Sequence, residues 1–130
     1  MSTLLETQRR MTLALIDHDP TEAVLIPRVK TLTGSGASTY TDGPPRAPQR
    51  FKLSLLNYDQ RPDVTLAGGV VRKADYHLIG PHDMEIEIGD HWTGPDGTRY
   101  DVGNLLEGWG YMRKASVVRT LKGERVVPAL

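Results

Sequence analysis

The chain has 130 residues, the length of one domain, and a chain of this size buries roughly two thirds of the surface its unfolded form exposes. Sixteen basic and sixteen acidic side chains cancel, which argues against a general nucleic-acid or anionic-membrane binder because no net field draws the protein to either. The absence of cysteine excludes disulfides, thiolate metal sites and cysteine nucleophiles together.

At the N-terminus Thr3 and Glu6 have capping-box spacing, and Leu4, Met11 and Leu15, with Leu5 and Ile16 beside them, recur at helical period. This predicts one amphipathic helix over 3–17, ended by Asp19-Pro20 because a residue before proline is pushed out of the helical region. Glu6, Arg9, Arg10 and Asp17 interrupt its apolar residues, so no run of signal-peptide or membrane-spanning length is present and no membrane association is expected.

The run "EAVLIPRVK", 22–30, reads as a strand with a bulge or at a sheet edge, since Pro27 cannot donate to a ladder. Residues 31–50, "TLTGSGASTYTDGPPRAPQR", carry glycines early and prolines late with little apolar surface, and are expected to form a long flexible loop. A loop of that length in a compact domain asks for a function. Its deletion over 34–46 is expected to leave the fold nearly intact, because loop length costs little stability.

"FKLSLL", 51–56, alternates as a half-buried strand, and "NYDQRPDVTLAGG", 57–69, reads as a second loop ended by its two glycines. "VVRKADYHLIG", 70–80, and "DMEIEIGDHW", 83–92, read as two more strands; in the latter Met84, Ile86 and Ile88 alternate with Glu85 and Glu87. "HWTGPDGTRYDV", 91–102, reads as a hairpin about the turn Gly94-Pro95-Asp96-Gly97, with Trp92, Tyr100 and Val102 as packing residues. "GYMRKASVVRTL", 110–121, makes a final strand before a C-terminal tail at 122–130. One helix and about six short strands joined by polar turns describe a mainly β domain, a small antiparallel barrel or sandwich.

His77, His82, Asp83, Asp90 and His91 fall close together and are the candidates for a metal or acid–base site. Alternation along the 84–92 strand sends Asp90 and His91 to opposite faces, and no helical H-x-x-x-H pair supports zinc, so these residues read as solvated turn and strand-edge groups. "GSGAST", 34–39, lacks the lysine and following helix of a phosphate loop, and no G-x-S-x-G elbow presents a serine. No catalytic residue, metal or cofactor is expected. A metal-dependent hydrolase using His77, His82 and Asp90 would instead require stoichiometric bound metal. Arg46, Arg50 and Lys52, or Arg113, Lys114 and Arg119, with Tyr40 and Phe51 or Trp109 and Tyr111 as stacking groups, would make a nucleic-acid face. The competing reading puts Phe51 and Trp109 in the core and leaves the cations solvated.

The order "VLIPRVK", a Gly-rich segment ending "RAPQRFKL", "YHLIGPHDMEIEIGDHWTGPDGTRYDV" and "GYMRKASV" resembles the head-to-tail connector proteins of tailed bacteriophages, specifically the head-closure or stopper type from actinobacterial phages. The likeness runs from about residue 4 to residue 120 and is clearest in Gly89, Asp90, Trp92, Gly97, Tyr100 and Val102. It implies a small β-barrel over 1–130, assembled in the host cytoplasm into a homo-oligomeric ring at the virion's head–tail junction. An adaptor would lie above it and a tail-terminator or tail-tube protein below, and packaged DNA would pass through without sequence-specific binding. An adaptor or terminator role in the same connector is the nearest alternative, and a small-barrel nucleic-acid-binding module the alternative of another class. By position the resemblance makes Thr33, Gly34, Ser35, Gly36, Ala37, Ser38, Thr39, Tyr40, Thr41, Asp42 and Gly43 the candidate channel or gating loop, which would help retain packaged DNA until ejection. Heterologous ring contacts are expected at Trp109 and Tyr111 and in the apolar tail at Val126, Val127 and Leu130.

Overall fold

The computed structural model describes residues 3–32, 34, 36, 38–66 and 70–121, and the side chain of Ser38 is not among what is described. Helix α1 (Leu4–His18) is followed by β1 (Thr21–Ala23), β2 (Arg28–Leu32), β3 (Ser38–Asp42) and β4 (Gln49–Leu55). A 3-10 turn at Tyr58–Gln60 leads to β5 (Asp63–Thr65), β6 (Val71–Lys73), β7 (Tyr76–Pro81), β8 (His91–Thr93), β9 (Arg99–Leu106) and β10 (Met112–Thr120). No described helix is long and apolar enough to cross a membrane.

Helix α1 begins where the sequence places it. The Thr3 hydroxyl accepts from the Glu6 N–H at 3.1 Å and the Glu6 carboxylate accepts from the Thr3 N–H at 3.3 Å, satisfying two orphan donors reciprocally. Its buried face differs from the expected one: Thr12 and Ile16 are buried, while Leu4, Met11 and Leu15 stay exposed. Thr12 tolerates burial because its hydroxyl donates to the Gln8 carbonyl at 2.9 Å.

Six strands form one antiparallel sheet in the order β1-β4-β7-β10-β9-β8, curled into a nearly closed barrel. Its two edges meet at a single rung, where Ile26 and His91 exchange backbone hydrogen bonds of 2.8 and 3.0 Å. Phe51, Leu78, Val102 and Val117 fill the interior with Trp92, whose ring stacks on Tyr100 at 4.9 Å and meets the edge of Phe51 at 5.2 Å. The hairpin β8–β9 and the long final strand stand as the sequence predicts, with a register shift between Ser116 and Val117.

Four segments differ from expectation. The 22–30 run is two strands in different sheets, divided at Pro27, because β1 joins the barrel and β2 leaves it. The 31–50 segment is not one loop: Arg28–Leu32 pairs with Ser38–Asp42 over five residue pairs, and β4 begins at Gln49. Thr31, Thr39, Tyr40 and Thr41 are strand formers, and pairing supplies the backbone bonds that their poor apolar content cannot replace. The 57–80 stretch likewise holds a β5–β6 hairpin where a loop and the start of a long strand are predicted; the glycines expected to end that loop lie outside the described residues.

The fourth difference is the 83–92 strand, which has the clearest alternation in the sequence. Met84 and Ile86 are buried and Glu85 and Glu87 exposed, yet 84–88 pairs with no strand among the described residues and Ile88 is exposed. Alternating burial therefore comes from draping an extended segment over the barrel mouth, where Gln49 clasps both backbone groups of Glu85 at 2.8 and 2.9 Å in place of a strand.

Beside the barrel, Leu56, Val64, Ala74 and Val118 form a second small core. Gly103 is required there, since a β-carbon at this buried position would overlap the Val64 Cγ1 methyl. Gly103→Ala is expected to lower the unfolding free energy by about 1–3 kcal/mol. In a Val64→Ala background, where the obstructing methyls are gone, the same change should cost clearly less. Urea titration of the four proteins in this cycle checks it.

Candidate functional site: a projecting ribbon and its clamp

The β2–β3 ribbon stands apart from the barrel sheet and carries most of the residues predicted for a channel loop. Cross-strand partners share a face, so Arg28, Lys30 and Leu32 lie with Asp42 and Tyr40, while Val29 and Thr31 lie with Thr41 and Thr39. One face thus carries Arg28 and Lys30 with Tyr40, Leu32 and, at its base, Asp42, and the other is built of valine and threonine. Tyr40, Thr41 and Asp42 are exposed, as are Gly34 and Gly36 at the turn end, where Gly36 has a φ of 82° that favours glycine. Thr33, Ser35 and Ala37 lie outside the described residues. Arg28 and Lys30 were missed as site residues because their role depends on pairing with the strand after the glycines.

At the ribbon's base the chain is fixed by contacts from Asp42-Gly43-Pro44-Pro45-Arg46. The Gly43 N–H donates to the Pro27 carbonyl at 2.7 Å and the Arg46 N–H to Leu25 at 2.9 Å. A β-carbon on Gly43 would come within 2.9 Å of Val29 Cγ2. His91 Nε2 lies 3.2 Å from the Asp42 carboxylate and its Nδ1 3.4 Å from the Gly89 carbonyl. Arg46 grips Asp90 with two donors, Nε at 2.9 Å and Nη2 at 3.2 Å, and Asp90 also accepts from the Glu87 N–H at 3.1 Å. Asp90 is fully buried, so its charge is held by a two-pronged guanidinium and a backbone donor. The same contact, ahead of burial acting oppositely, raises the Arg46 pKa.

Asp90 and His91 take separate partners, Arg46 and Asp42, and they are not solvated. Both are buried and both are held by the strap that leaves the ribbon. Around them the other candidates scatter. His77 is half-buried in β7, and burial, then the charge of Lys114, lowers its pKa; His82 and Asp83 are exposed at the turn that follows. Among the described residues no three histidine or acidic side chains come together as metal ligands.

Three of the six candidate nucleic-acid cations are engaged within the fold. Arg46 is committed to Asp90, Arg50 pairs with Asp17 at 3.2 Å, and Arg119 donates to the Tyr76 hydroxyl at 3.2 Å. Phe51 is core, as the competing reading has it, whereas Trp109 is not: it is 66% exposed. Gly108-Trp109-Gly110 forms a turn in which Trp109 adopts a left-handed φ of 51°, its N–H bound by Glu107 at 2.8 Å and its ring stacked on Tyr111 at 6.3 Å. Arg9 of α1 donates to the Gly110 carbonyl at 3.1 Å. Tyr111 and Met112 after the turn line an apolar groove with Met11 and Leu15 of the helix, and Gly110 lies next to Leu5.

A large side chain held in the left-handed region costs on the order of 1–2 kcal/mol. Trp109→Gly is accordingly expected to raise thermal stability slightly, by up to about 1 kcal/mol, while weakening any association that uses this surface. Calorimetry and sedimentation of the variant test the two halves separately. Val126, Val127 and Leu130, the other residues predicted at a subunit interface, lie outside the described residues.

No protein-family model, curated protein or solved structure matches this chain.

Proposed function

We propose that the protein is a non-enzymatic virion structural protein, a head-to-tail stopper that forms a ring between the portal-adaptor assembly and the tail. The observation that carries this reading is the β2–β3 ribbon, an exposed projection clamped rigidly to the barrel at the position where the connector resemblance expects a channel loop. Arg28, Lys30 and Tyr40 on one ribbon face suit transient contact with DNA phosphates and bases. The balanced overall charge suits a channel through which DNA must slide, since a strongly basic lining would hold it by counterion release. The exposed surface of Trp109, Tyr111 and the α1 apolar residues supplies one side of a heterologous ring contact.

Electron microscopy of the phage particles that carry this chain tests the proposal. A ring of this protein at the head–tail junction is the expected result, and its location anywhere else in the particle, or its absence from the particle, sinks the reading. An adaptor or terminator ring would be distinguished in the same images by its height relative to portal and tail tube.

A further inference from the structure

The barrel seam opens immediately beyond its one rung. Hydrogen bonds from Gly94 N–H to Thr98 and from Val102 N–H to Asp90 turn the backbone groups of Asp90 and Gly94 towards β9. Alternation turns those of His91 and Thr93 the other way, towards β1. On the opposite edge Leu25 accepts from Arg46 while Ile26 bonds His91, so the groups of Val24 and Glu22 face β8. Continuing the ladder would pair Val24 with Thr93, and no such rung forms. A cleft of about 880 Å³ takes its place, with Leu53, Trp92 and Tyr100 on its lining and Glu22 and Asp96 at exposed positions on its margin.

We propose that this cleft is a docking site for an extended peptide segment of a partner protein, which inserts as a strand between β1 and β8 and completes the barrel. Glu22 and Val24 on one edge and Thr93 on the other turn backbone donors and acceptors into the gap, and another extended backbone matches them. The apolar and aromatic lining selects β-branched or aliphatic side chains at alternate residues of the insert. Glu22 and Asp96 select lysine or arginine flanking them; the Thr98 N–H, bound to the Asp96 carboxylate at 3.0 Å, lowers the pKa of Asp96 and keeps that charge in place. A neutral or acidic segment would lose this complementarity. The occupant is thus a basic, valine-rich strand. The inference is independent of the connector reading, since any partner carrying such a segment would satisfy it.

The probe is a synthetic peptide of alternating valine and lysine, titrated into the full chain and followed by backbone amide NMR. Shifts are expected at Val24, Thr93 and Glu22, with slowed exchange of the Thr93 amide, while the core amide of Val117 is unmoved. A peptide N-methylated at alternate residues should bind roughly tenfold or more weakly, and so should a glutamate-for-lysine peptide. Thr93→Pro removes the edge donor on the side facing the cleft and should abolish the shifts. If that variant fails to fold, the N-methylated peptide still decides. Absence of shifts at Val24 and Thr93, or equal binding of the N-methylated peptide, overturns the proposal. Shifts confined to α1 and Trp109 would assign the binding to the other apolar surface and also overturn it.

Discussion

Arg46→Ala is expected to lower the unfolding free energy by about 3–5 kcal/mol, as much as truncating a large core side chain. The reason lies in what remains behind. Asp90 has no solvent exposure, and without the guanidinium its carboxylate keeps only the Glu87 N–H as a partner. A buried charge so undercompensated costs far more than the ion pair contributes when intact. Arg46→Lys should be nearly as harmful, because a single ammonium cannot reproduce the two-pronged contact at 2.9 and 3.2 Å. Adding Asp90→Asn to Arg46→Ala should recover part of the loss, since the amide is neutral and its oxygen can still accept from Glu87. Urea denaturation of the single and double variants measures all three, and an Arg46→Ala cost below about 1 kcal/mol, the range of an exposed ion pair, would contradict the account.

Shortening the ribbon is expected to separate function from folding. Replacing residues 31–39 with Asn-Gly leaves Lys30 opposite Tyr40 across a two-residue turn of the type that hairpins prefer. Asp42, Gly43 and Arg46 remain, so the clamp is untouched, and stability should change by no more than about 1 kcal/mol. Under the connector reading, particles built with this variant should assemble a neck and lose packaged DNA, which nuclease sensitivity and particle counting would register. Retention of DNA at the normal level would deny the ribbon its role. The outcome differs for a deletion of 34–46, which is expected from sequence to be harmless. That deletion removes Asp42 and Arg46 along with the turn, leaves Asp90 without its guanidinium, and should cost at least as much as Arg46→Ala.

The resemblance to connector proteins is drawn from Gly89, Asp90, Trp92, Gly97, Tyr100 and Val102, and the fold gives these residues physical reasons of their own. Trp92 and Tyr100 are stacked barrel residues, Val102 is core, Gly97 turns the hairpin at a φ of 86°, and Gly89 turns at 94° to set Asp90 inward.

Features that depend on neighbours in the chain are legible in the residues alone. The capping box at Thr3 and Glu6, the β8–β9 hairpin about Pro95-Asp96-Gly97, the half-buried strand at Phe51 and the last strand all follow from local hydrogen bonding and period-two patterning. Together they suffice for a mainly β barrel with one helix. Where each apolar or charged pattern is used follows instead from long-range packing. The alternation at 84–88 is that of a strand, yet it drapes over the barrel without pairing; of the apolar row of α1, Leu4, Met11 and Leu15 face solvent because Thr12 and Ile16 face the barrel. The ribbon escaped detection because its two strands flank glycines and carry few apolar residues, so backbone pairing, which composition does not encode, is what orders them. Asp90 and His91 read as solvated because their partners, Arg46 and Asp42, lie more than forty residues away in the chain. Burial of a charge is decided by whether a distant residue arrives to pair with it, and that is a property of the closed barrel.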